Sequence, residues 1–147
     1  MDFLGQKPLN MTLEADTRNG VRIIILGGNI TEYDGSPFLG RWIARDIEDG
    51  HKNFILDLSA VRHIDSSGLG EILAVLISAA RVGGKAILCR LTDQIRSLFY
   101  ITKILDFYEV RDTIEEALES FESKSLEDKS AVNPEEFEDG LNSYDLL

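Results

Sequence analysis

Relative to its size, this chain is short of basic charge: 15 Lys and Arg stand against 26 Asp and Glu, for a formal net charge of −11 at pH 7. Lys and Arg bind nucleic acid by displacing phosphate counterions, so the balance argues against a nucleic-acid binder, and equally against an anionic membrane surface. Cysteine is scarcer still. The single thiol, Cys89, cannot close an internal disulfide, and it reads as a small core residue. The two histidines and that cysteine are too scattered for a zinc site, and the acidic residues lack calcium-loop spacing, so no metal centre is expected. No stretch reaches the roughly 20 apolar residues that a membrane span needs. The opening MDFLGQKP lacks the basic and apolar regions of a secretion signal, which makes the cytoplasm the expected location.

The chain does have enough apolar material for one core: 147 residues, 44% of them hydrophobic. It reads as a loose lead-in over residues 1–10, one domain over 11–122 and an acidic tail over 123–147. The tail carries seven acidic and two basic side chains, a net charge of −5 that leaves −6 on the rest. Such composition favours a solvated, disordered segment. Its Phe137, Leu141, Tyr144, Leu146 and Leu147 leave open a short partner-docking stretch.

Within the domain the periodicity changes repeatedly. Met11, Leu13 and Ala15 alternate with polar residues as in a half-buried strand, and Asn19-Gly20 is a hairpin signal leading to a second strand, Val21 to Leu26, closed by Gly27 and Gly28. The unbroken IIIL in that strand predicts burial on both faces. Ser36 and Pro37 then open a helix with Leu39, Ile43 and Ile47 at four-residue spacing, which ends at Gly50. Phe54 to Leu58 reads as a short strand, followed by a brief connection that returns Val61 and Ile64 to the core.

The next helix is predicted over about Ser67 to Val82. Leu69, Ile72, Leu73, Leu76 and Ala80 share one side, with Ala74 and Val75 on the outer side. Either this helix is packed between neighbours or it presents an apolar patch to a partner. Gly83 and Gly84 stop it, and Ala86 to Cys89 forms another strand. Thr92 caps a helix bearing Ile95, Leu98, Phe99 and Ile101, and a brief strand follows around Phe107 to Val110. Thr113 and Glu116 have capping-box spacing before Ile114, Ala117, Leu118 and Phe121. The hairpin and the later strand–helix alternation predict an α/β domain: a mixed sheet of about four to five strands with about four helices, mainly covering one side.

The chemistry concentrates at residues 64–70, Ile-Asp-Ser-Ser-Gly-Leu-Gly, where an apolar strand gives way to the long apolar helix. Backbone N–H groups in a first helical turn lack internal partners, and the dipole adds partial positive charge, so the junction suits an anion. Asp65 supplies one charge, and a phosphate on Ser66 would add about −1.5 to −2 more. Ser67 reads as a capping or supporting hydroxyl. Catalysis is not expected: His63, Asp65, Ser66 and Ser67 are close in sequence, but neighbours on one loop rarely give a nucleophile, a base and an orienting group their geometry. His63 reads as an exposed or locally bonded loop residue, and His51 as a favourable group at the preceding helix's C-terminus. The glycines at 83–84 form a turn, and Gly68 and Gly70 fall short of a dinucleotide fingerprint while allowing another backbone to approach the helix start.

Asp65-Ser66-Ser67-Gly68-Leu69-Gly70, preceded by FILDLS and followed by an apolar helix, GGKAIL and a capped helix, resembles the STAS domain of bacterial anti-sigma factor antagonists, over about residues 11–122. The likeness is loosest at TEYDGSPFLGRW and at ITKIL, and it excludes the tail. The resemblance implies a non-enzymatic regulator without a cofactor that binds a serine-kinase anti-sigma factor. That kinase would use ATP to phosphorylate the serine after the aspartate, here Ser66, and a serine phosphatase would reset it. Asp65, Ser66, Ser67, Gly68, Leu69 and Glu71 form the expected docking face. The resemblance also admits a scaffold or accessory module in a signalling or transport assembly, and an enzyme or nucleotide binder built on Ser66 and the glycines is a third, weaker possibility.

Overall fold

The computed structural model describes residues 10–33 and 36–122; both the tail and most of the lead-in lie outside them. Five strands form one sheet in sequence order: β1 (Met11–Arg18), β2 (Val21–Ile30), β3 (Asn53–Ile64), β4 (Lys85–Cys89) and β5 (Glu109–Arg111). β1 and β2 are antiparallel, joined through Asn19 at φ 52° and Gly20 at φ 79°, the left-handed pair that a two-residue hairpin requires. The remaining neighbours are parallel, connected by α1 (Ser36–Glu48), α2 (Ser66–Arg81) and α3 (Asp93–Ile101); α4 (Ile114–Glu122) ends the described domain.

Strand alternation divides the core in two. Ile24 and Leu26 of β2, Phe54, Leu56 and Leu58 of β3, and Ala86 and Leu88 of β4 face the larger core with α1, α2 and α3. Val21 and Ile23, Ile55, and Ile87 and Cys89 face the other way, towards Ile114, Ala117, Leu118 and Phe121 of α4. This is the two-faced burial that IIIL predicted, with three helices on one face and one on the other. On the α4 side of β1, Thr12, Glu14 and Asp16 are exposed while Met11 is buried, in line with the alternation in its sequence.

Several sequence expectations change. β2 does not stop at its glycines but continues to Ile30. β3 is a single strand, not a short strand and a connection. It carries an extra residue against β2 in two places, between Asp57 and Ala60 and at Arg62, and the first bulge is held by the Ser59 N–H donating to the Asp57 carboxylate at 2.9 Å. His63 is accordingly an exposed strand residue opposite Asn29. The outer-side placement of Val75 fails, because the residue is buried in the larger core; α2 packs against both the sheet and α1, which favours the packed reading of this helix. Ile101 is 75% exposed at the end of α3, and β5 starts two residues later than expected. Tyr108, just before it, is buried and donates its hydroxyl to the Ile72 carbonyl at 2.7 Å, tying this stretch to α2.

Candidate functional site

The ends of β2 and β3 lie level, with Ile30 opposite Ile64. Parallel pairing thus brings the turn after β2 beside the residue that begins α2. That residue is Asp65, in extended conformation (φ −98°, ψ −173°), and it is the N-cap; the helix starts at Ser66, one residue earlier than the periodicity predicts. One Asp65 carboxylate oxygen accepts the Gly68 N–H at 2.9 Å, while the Asp65 carbonyl accepts the first helical bond from the Leu69 N–H at 2.9 Å. The other carboxylate oxygen accepts the Glu32 N–H at 3.0 Å, from the turn after β2. The helix end therefore already holds its anion, and that anion is shared with a second element.

The six expected docking residues separate. Ser66 is exposed on the first turn, and Ser67 beside it is half-buried within the helix, so the cap expected of Ser67 is Asp65 instead. Gly68 lies behind the surface: a Cβ there would overlap the Ile30 carbonyl and press on the Ile64 side chain at 2.9 Å. Leu69 is partly buried against the larger core. Glu71 lies half-buried between the two helices, where a Cβ on Gly40 of α1 would collide with its carboxylate. Burial pushes the Glu71 carboxyl above its ordinary value, and the charge of Arg41 draws it part of the way back. Gly70 has open space where a Cβ would stand, so the close backbone approach expected at both glycines belongs to Gly68 alone.

The sequence reading missed the Glu32 N–H, which has no side-chain signature, and Gly40, whose role appears only when α1 and α2 pack. Beside Glu32, Tyr33 is 90% exposed. The arrangement can present a hydroxyl to an external enzyme and respond to added charge. Among the described residues no group of His, Cys, Asp and Glu could hold a metal ion. Burial, reinforced by nearby Asp57, pushes the Cys89 thiol up to about 12, consistent with its place in the core.

Comparison with known proteins bears on the whole domain. BtrV of Bordetella bronchiseptica, named as an anti-sigma factor antagonist, is 28% identical over 113 residues, which cover 77% of this chain and 97% of BtrV. A crystal structure from Thermotoga maritima, of a protein given the same role by name, superposes with a TM-score of 0.71 at 23% identity, covering 76% of this chain and 95% of that one. SpoIIAA superposes in its unphosphorylated form with a TM-score of 0.62 at 21% identity, covering 76% of this chain and 99% of SpoIIAA; its phosphorylated form, from Bacillus, superposes at 0.60. The STAS domain matches residues 12–117, and a match over that share of the sequence means that the chain belongs to the STAS domain family.

Proposed function

We propose that this protein is an anti-sigma factor antagonist: it binds a serine-kinase anti-sigma factor in the cytoplasm and is released when Ser66 is phosphorylated. The observation that carries the reading is the exposed Ser66 hydroxyl on the first turn of α2, directly after its capping aspartate. Relatives named for the same role, and SpoIIAA with both an unphosphorylated and a phosphorylated form, support it. The chain acts here as substrate and regulator, not as an enzyme.

In the modification step the Ser66 Oγ attacks the γ-phosphorus of the partner's ATP. The bond from that phosphorus to the bridging oxygen breaks, ADP leaves, and the hydroxyl proton passes to a base on the kinase. The product carries about −1.5 to −2 charges next to the Asp65 carboxylate. In a close contact with a surface that offers no cation, that charge must be desolvated unpaired, and a loss of about 2.7 kcal/mol weakens binding roughly a hundredfold. Hydrolysis of the phosphoserine by a phosphatase returns the binding form.

Incubation with the kinase and ATP, followed by mass spectrometry, should place one phosphate on Ser66 and none on Ser66→Ala. Ser66→Ala should still bind the kinase, and Ser66→Asp should bind less tightly. An unmodified Ser66 despite proven kinase binding removes the switch, and equal affinities of all three forms remove the electrostatic mechanism.

A further inference from the structure

The Asp65 carboxylate does more than a capping residue needs. A cap requires one acceptor for one orphan N–H, and the Gly68 bond provides it. The second oxygen is spent on the Glu32 N–H at 3.0 Å, 33 residues away in the chain. This bond closes an arrangement that other features already prepare. β2 and β3 run level to their ends at Ile30 and Ile64, and the absence of a side chain at Gly68 lets the Ile30 carbonyl sit directly on the first turn of α2.

We infer that Asp65 is the positioning residue of the site: its carboxylate clasps the turn Thr31–Tyr33 to the head of α2, so that the Ser66 hydroxyl and the exposed Tyr33 are presented at one fixed spacing. The inference rests on Ser66 being the modified residue. Charge-assisted hydrogen bonds to backbone N–H groups are the stronger class, and one carboxylate bridging two elements fixes their relative position as two separate caps could not. Preorganisation of this kind lowers the ordering cost when a partner docks across both elements. Asp65 touches neither ATP nor the transferred phosphoryl group in this scheme; it acts by holding Ser66 and the turn together.

The test removes the bond from either end. Asp65→Asn keeps an oxygen for Gly68 but cannot accept from both N–H groups. Glu32→Pro removes the donor and leaves Asp65 intact, with Glu32→Ala as the control that keeps the N–H. In the isolated protein, amide exchange at Glu32 should quicken about tenfold in Asp65→Asn, the ratio expected for one lost hydrogen bond, while Ile23 to Leu26 of β2 keep their protection. With the kinase that modifies Ser66, KM should rise about tenfold in Asp65→Asn and Glu32→Pro, with kcat little changed. Glu32→Ala should behave as wild type, and the double variant Glu32→Pro, Asp65→Asn should be no worse than either single one.

Unchanged Glu32 exchange in Asp65→Asn, or additive losses in the double variant, overturns the clasp while leaving the Ser66 switch intact. Should Asp65→Asn lose protection throughout, Glu32→Pro against Glu32→Ala decides: equal KM values for these two overturn the clasp. A wild-type Ser66 that no kinase modifies defeats the functional reading instead, and the exchange result still stands as a separate measurement.

Discussion

α2 and α3 begin in the same way, and only α2 carries the candidate site. α2 follows β3 and α3 follows β4, neighbouring parallel strands, and each is capped by a side-chain oxygen that accepts the N–H three residues on: Asp65 from Gly68 at 2.9 Å, Thr92 from Ile95 at 3.2 Å. The difference lies in what surrounds the cap. α3 has an acidic residue, Asp93, in its first turn, whereas α2 has none there and exposes Ser66 instead. The Thr92 hydroxyl serves its own helix, whereas the Asp65 carboxylate also holds the Glu32 N–H of another element. A capped helix end is therefore an ordinary structural feature. Here it becomes a candidate switch by combining an exposed hydroxyl with a cap shared between two elements.

The comparison breaks most severely at Gly68. Gly68→Ala forces a methyl group into the Ile30 carbonyl, a backbone atom that moves only with β2, and the loss should be about 3 kcal/mol in urea unfolding. Wild-type stability in this variant would mean that β2 and α2 are not in the close contact described. The caps come next. Asp65→Ala should cost about 2 kcal/mol, because it removes a cap and a second charge-assisted bond, against about 1 kcal/mol for Thr92→Ala, which removes a cap alone. Equal losses would erase the distinction between the two helix heads. Gly70→Ala should move in the opposite direction: its new methyl group meets nothing, and replacing a helical glycine should add about 0.5–1 kcal/mol to stability. A loss of stability there would mean that Gly70 is packed after all.

These residues also show where the sequence was legible. Local chemistry could be read: Asn19-Gly20 made the hairpin, Thr92 the cap of α3, and Thr113 with Glu116 a cap in which the Glu116 N–H donates to Thr113 at 3.0 Å and the Glu116 carboxylate reaches back to the Asp112 N–H at 3.3 Å. Ser66 could be placed near the head of a helix because its neighbours announce a strand-to-helix junction. What could not be read depends on elements meeting in space. The Glu32 bond exists because β2 and β3 end level, which follows from two bulges in β3 that no residue type signals. Val75 is buried because α2 packs against α1 as well as the sheet, so a single apolar stripe underestimates how much of that helix is covered. The separation of Gly68 from Gly70 likewise required knowing which face of the turn meets Ile30.

The smallest expected effect concerns the charge nearest the head of α2 on its own helix. Glu71 lies in the second turn, half-buried over Gly40 of α1, and burial raises its carboxyl above the ordinary glutamate value despite the opposing pull of Arg41. A raised value in the folded state means that folding favours the protonated form. The associated stability is fully present below the unfolded value, at about pH 4, and is lost as pH rises through the folded value. Glu71→Gln abolishes that titration while keeping the shape. It should match wild type near pH 4 and become the more stable of the two as pH rises towards neutrality, with the gap opening just above the ordinary glutamate range. Urea unfolding of both proteins across that interval measures the gap. A constant difference at all pH values would show that the Glu71 carboxylate is solvated as well in the folded chain as in the unfolded one, and α2 would then carry no buried charge beside its exposed serine.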